Sequence, residues 1–139
     1  MPKKASAKRK MTRQEVRDLD VEISFIKGVV RRDPKFVEAL QVLGDDYTRR
    51  GNFKDGLKVD QQLAKLKPQD STVLYNLACS YALIGRLDRA TSALMKAIDQ
   101  GYNDFRWLMR DPDLQKLRDE EGLFKKVREK VRSVKIRIA

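Results

Sequence analysis

The sequence contains no histidine, and that absence removes several kinds of chemistry. Imidazole-dependent zinc sites, Ser-His-Asp and Cys-His nucleophile pairs, and imidazole acid–base catalysis are all excluded. A single cysteine, Cys79, excludes an intramolecular disulfide framework and any CxxC metal or redox motif. Glycine and proline are scarce, at 7 and 4 of 139 residues, and aromatic residues make up only 7%. No stretch approaches the ~18 apolar residues of a membrane-spanning helix, and the amino terminus lacks the apolar core of a secretory signal. The expectation is a cytoplasmic, reduced protein with no membrane span, of about one domain.

What is present is charge and helix-forming residues. Hydrophobic residues account for 41% and charged residues for 37%, with a net charge of +11. That charge is unevenly laid out. Residues 1–13 hold six Lys/Arg and no acid, residues 14–115 hold sixteen of each sign, and residues 116–139 hold nine against four. The chain reads as a neutral body with two basic ends. Such ends can contact phosphate, or can simply keep the protein soluble.

Sliding the sequence on itself by 34 residues brings Pro34 onto Pro68, Leu40 onto Leu74 and Leu43 onto Leu77. Gly44 then meets Ala78, Tyr47 meets Tyr81 and Gly51 meets Gly85. Within each unit the apolar residues recur at three and four, which predicts paired amphipathic helices. The first pair spans Val37–Arg50 and Phe53–Lys67, broken by Gly51-Asn52 and stopped before Pro68. The second spans Thr72–Ile84 and Leu87–Gln100, broken at Gly85 and stopped at Gly101. Neither helix of a pair could bury its stripe alone.

At these residues the sequence resembles the tetratricopeptide repeat family. Its 34-residue unit carries Trp-x-x-Leu-Gly-x-x-Tyr, then Ala-x-x-x-Phe, then Pro. The first unit reads Leu40, Leu43, Gly44, Tyr47, Gly56, Asp60, Pro68; the second reads Leu74, Leu77, Ala78, Tyr81, Ala90, Leu94, Ala97. Gly56 and Asp60 replace the usual Ala and aromatic residue, and Tyr102 replaces the closing Pro, which predicts a looser second helix in the first unit. The expected fold class is all-α, a solenoid of helical hairpins. A basic tail (1–11) leads into a helical domain (12–134) with repeats at 37–70 and 71–104. Residues 105–134 form a capping segment, and 135–139 a frayed end. A lone helix at 12–32 precedes the repeats, and Asp111-Pro112 marks a helix start within the cap, with a further break near Gly122.

Enzymatic readings find no residues to carry them. Asp45 and Asp46 are adjacent, so on a helix they diverge by about 100° and cannot share a proton or a metal. Asp111 and Asp113 fit a helix start, Asp119, Glu120 and Glu121 complement a helix dipole, and no Gly-rich phosphate loop occurs. No cofactor and no metal site is expected. Cys79 reads as a buried or groove-lining thiol.

The family resemblance implies that the first helix of each unit lines a concave groove that holds a peptide or partner helix. Carried onto this chain, the groove is Glu38, Gln41, Asp45, Thr48 and Arg49 from the first unit. The second unit supplies Thr72, Tyr75, Asn76, Cys79, Ala82 and Leu83. Some members hold acidic chaperone tails with a ring of basic residues; Gln41, Asp45 and Cys79 stand in those places, so no such clamp is expected. In the first helix, Val21, Phe25 and Val29 form a second apolar stripe nearly opposite Val16, Leu19, Ile23, Ile26 and Val30, which predicts a self-association face. The expected function is non-catalytic protein–protein interaction, as an adaptor or co-chaperone-like module. The alternative is a nucleic-acid-associated factor that uses the basic ends.

Overall fold

The structure, a computed structural model, describes residues 10–138. Among these residues it is all-α. In chain order the helices are α1 (Arg13–Arg32), α2 (Val37–Arg50), α3 (Phe53–Leu66), α4 (Ser71–Leu83) and α5 (Leu87–Asp99). A short α6 (Phe105–Leu108), a 3-10 turn (Pro112–Leu114), α7 (Gln115–Asp119) and α8 (Glu121–Ile138) complete the chain. Residues 1–9, most of the expected basic tail, lie outside the described part. The segment expected to fray, 135–138, instead continues α8 as helix.

The local sequence explains where these helices begin and end. Thr12 accepts the amide hydrogen of Glu15 at 3.1 Å and so caps α1. Asp70 accepts from the amides of Thr72 and Val73 at the start of α4. Three helices close on a glycine with positive φ: Gly51 (89°), Gly85 (82°) and Gly101 (106°). At each, the next amide reaches back five residues: Asn52 to Tyr47, Arg86 to Tyr81, and Tyr102 to Ala97. This closure ties up helix-end carbonyls that have no partner within the helix, and a residue with a Cβ would strain it. The 34-residue spacing of the sequence is therefore also a spacing of backbone geometry, from Gly51 to Gly85 and from the start of α3 to the start of α5.

Packing follows chain order: α1 lies on α2, α2 on α3, α3 on α4, and α4 on α5, with α8 closing over α5. One core cluster joins Leu19 and Ile23 of α1 to Leu40 and Leu43 of α2, Val59 and Leu63 of α3 and Val73 of α4. A larger one joins α4 and α5 to the carboxyl-terminal helices through Leu94, Leu108, Leu114, Leu117 and Val127, each fully buried. Burying one such side chain is worth about 1.5–3 kcal/mol, so the carboxyl-terminal segment is a structural part of the body.

The predicted looseness of α3 is not found. Asp60 is buried between α2 and α4, where it accepts a hydrogen bond from the Ser80 hydroxyl. Gly44 makes room for it: a Cβ there would lie 3.0 Å from Asp60 Oδ1. An acid in place of an aromatic ring marks a specific polar contact, not a defect.

Candidate functional site

The face expected to form a continuous groove divides into two unlike halves. On α2, Glu38, Gln41 and Arg49 are exposed, Asp45 is half-buried, and Val42, which sequence reasoning missed, is also exposed. These residues form an accessible mixed-charge strip. On α4, Thr72, Asn76 and Leu83 are half-buried, whereas Tyr75, Cys79 and Ala82 are fully buried.

Thr48, Tyr75 and Cys79 are thus out of a partner's reach, for identifiable reasons. Thr48 turns to α3: a Cβ on Gly56 would lie 3.3 Å from its hydroxyl, which donates to the Gly44 carbonyl at 3.1 Å. Tyr75 and Cys79 are covered by the chain's own carboxyl-terminal segment. The Tyr75 ring stacks on Tyr102 with centroids 4.1 Å apart and planes within 9°. Its hydroxyl donates to Asp111 Oδ2 at 2.7 Å. Burial pushes the phenols of Tyr75 and Tyr102 well above their ordinary range, so both are neutral and Tyr75 acts as a donor.

Cys79, Asp111 and Asp113 bring a thiol and two carboxyls within 4.8 Å of one another, all buried. The contacts of Asp111 give this cluster a structural purpose. One oxygen takes Tyr75 and the Cys79 thiol (3.7 Å), and the other takes the Asp113 amide at 3.0 Å, which caps the following 3-10 turn. The helix-start reading of Asp111 matches this geometry, while its bond to Tyr75 lies 36 residues away and has no local signal.

A second polar site lies where α1 meets α2. Glu15, Asp18, Leu19, Glu22 and Arg49 line an open cavity of about 300 Å³. Against Glu22 and Arg49 sits Asp46, whose side chain is only 4% exposed. Asp46 Oδ1 lies 3.7 Å from the Arg49 guanidinium, and no donor among the described residues reaches Oδ2. Burial, reinforced by the Glu22 carboxyl, pushes Asp46 up to about 7 from 3.8. Asp45 and Asp46 do diverge, as adjacent helical residues must, but Asp46 meets an acid on another helix, which sequence reasoning missed.

Val21 and Phe25 on α1 are 70% and 69% exposed, and Val29 is half-buried. The stripe proposed for self-association is therefore uncovered at its first two positions. Among the described residues no helix is long and apolar enough to cross a membrane.

No family model matches the chain. Over 78 residues, 54% of its length, the sequence is 32% identical to a chloroplastic protein of Arabidopsis thaliana. The chain spans 23% of that protein's length.

Proposed function

We propose that this chain is a non-catalytic protein-interaction module of the tetratricopeptide type, which holds a peptide or partner helix against the exposed face of α2. The observation that carries the reading is the pair of helical hairpins repeated at 34 residues, with one face left open and the equivalent face of α4 filled internally. A scaffold of this kind needs no reacting group, and its ligand is set by a few surface side chains. The contact residues are Glu38, Gln41, Val42, Asp45 and Arg49, with Thr72 and Asn76 at the border.

Affinity capture from native lysate tests this. A Glu38→Arg, Gln41→Arg variant is expected to lose the proteins retained by the wild type, because both side chains are exposed and their replacement leaves the core intact. Lys126→Glu on α8, away from α2, is expected to retain them. An unchanged captured set in the α2 variant contradicts the reading. The second reading rests on the basic ends, since α8 carries Lys125, Lys126, Arg128, Lys130, Arg132, Lys135 and Arg137 in one helix. Recovery of nucleic acid whose binding collapses with salt and requires residues 1–13 would favour it instead.

A further inference from the structure

We propose that the two grooves flanking α3 form a second docking surface, for an acidic peptide segment that carries apolar anchor residues. This goes beyond the proposed function and does not rest on it.

Shape is the first support, and it repeats. One groove lies between α1 and α3 over α2, with Leu43, Tyr47 and Val59 in its lining and a volume of about 330 Å³. The other lies between α3 and α5 over α4, at about 470 Å³, and is lined by Leu77, Tyr81 and Ala93. Each of these three stands 34 residues after its counterpart, as Ala64 does after Val30. The repeat therefore builds the same apolar floor twice in succession. On α2, Leu43 points about 160° away from both Gln41 and Asp45, so the grooves and the α2 contact face lie on opposite sides.

Charge selects the occupant. Cations stand on all three bordering helices: Lys27 and Arg31 on α1, Lys58 on α3, Arg89 and Lys96 on α5. All five are exposed, and no ion pair among the described residues takes up any of them. Among the described residues the two linings hold one carboxylate, Asp55, against these five. An apolar side chain of a peptide would displace water from the Leu and Tyr floor. Carboxylates on either side of it would then meet the ammonium and guanidinium groups along the edges. A nucleic-acid strand fits less well, because its phosphates would use the edges and leave the floor uncovered. The denser basic surface of α8 suits that ligand better. The clamp for acidic chaperone tails, which Gln41, Asp45 and Cys79 speak against, belongs to the other side of the hairpins.

Fluorescence polarisation tests the grooves with the full chain and a labelled peptide of repeated Glu-Glu-Leu-Gly units. Two counterparts carry Lys in place of Glu, or Ala in place of Leu. The wild type is expected to bind the Glu-Leu peptide saturably, its Ala counterpart about tenfold more weakly, and its Lys counterpart not at all. Ser92→Trp fills one groove from an exposed position and is expected to weaken binding about tenfold. Arg89→Glu is expected to weaken it about fivefold. Arg106→Glu makes the same change of charge at an exposed site on α6, outside both linings, and leaves binding unchanged. All three positions are exposed, so the fold tolerates the substitutions. No binding of the Glu-Leu peptide, equal binding of its Ala counterpart, or binding that Ser92→Trp and Arg89→Glu leave unchanged overturns the inference. So does a labelled single-stranded oligonucleotide that the wild type binds and both variants lose, which would assign the grooves to nucleic acid. Capture that depends on Glu38 and Gln41 reports on α2 alone, so the proposed function and this surface fail separately.

Discussion

Replacing Asp111 with Ala is expected to lower the unfolding free energy by about 3 kcal/mol, the largest effect of any single polar substitution here. Asp111 is fully buried and accepts from three donors: the Tyr75 hydroxyl, the Cys79 thiol and the Asp113 amide. Alanine would strand all three away from water and remove the cap of the 3-10 turn, and each stranded donor costs about 1–3 kcal/mol. Asparagine preserves the shape and one acceptor oxygen, so Asp111→Asn is expected to cost about half as much. Tyr75→Phe removes one donor and leaves the others, at about 1–2 kcal/mol. Urea unfolding measures these differences directly. A loss below about 0.5 kcal/mol for Asp111→Ala would mean that the carboxyl-terminal segment is not anchored through this residue.

The second expected result has the opposite sign. Asp46→Asn stabilises the protein by about 1–2 kcal/mol near pH 8 and by almost nothing near pH 4. The sign follows from linkage. The folded state holds the Asp46 proton up to about pH 7, by burial first and the Glu22 carboxyl second, whereas the unfolded chain releases it near 3.8. Between those values the folded state binds more protons, so stability falls as pH rises and the deficit is complete above the folded value. Asparagine cannot ionise and escapes that penalty. The full shift would be worth more than the effect expected, but Glu22 faces water and the attraction to Arg49 is lost with the charge. Thermal unfolding of wild type and variant across this pH range checks the difference, in which other titrating groups largely cancel. A variant that is less stable at pH 8 than the wild type would contradict the account of Asp46.

Much of the architecture is legible in the sequence because its punctuation is local. Gly51, Gly85 and Gly101 close helices through their own backbone, and Asp70 opens one, so the boundaries of α2, α4 and α5 fall within about a residue of expectation. The site is less legible because its contacts are not local. Tyr75 and Cys79 occupy positions that resemble groove positions, and nothing near them in sequence says that Tyr102 and Asp111 will cover them. Glu22 and Asp46 sit on different helices, so their meeting depends on the rotation of α1 against α2. Asp60 did carry a signal, as an acid where the pattern has an aromatic ring, and it reads correctly as a buried polar partner once Ser80 is placed opposite.

The basic charge takes on a different meaning once the helices are placed. Residues 13–50, which hold α1 and α2, carry eight Lys/Arg against eight Asp/Glu, whereas α8 carries seven Lys/Arg against two Glu, so the positive charge of the described helices is concentrated at the α8 end.

The central claim is that the inner face of the second hairpin is filled by the chain itself, which leaves α2 as the contact face. Cys79 is the sole cysteine and is fully buried beneath that segment, so its reaction with a water-soluble thiol reagent such as DTNB reports on the claim directly. The account predicts labelling far slower than that of an exposed thiol under native conditions, and full reactivity in denaturant. It further predicts faster labelling in Asp111→Ala. Native Cys79 reacting as fast as it does in the unfolded chain would show an open groove at α4 and contradict the account.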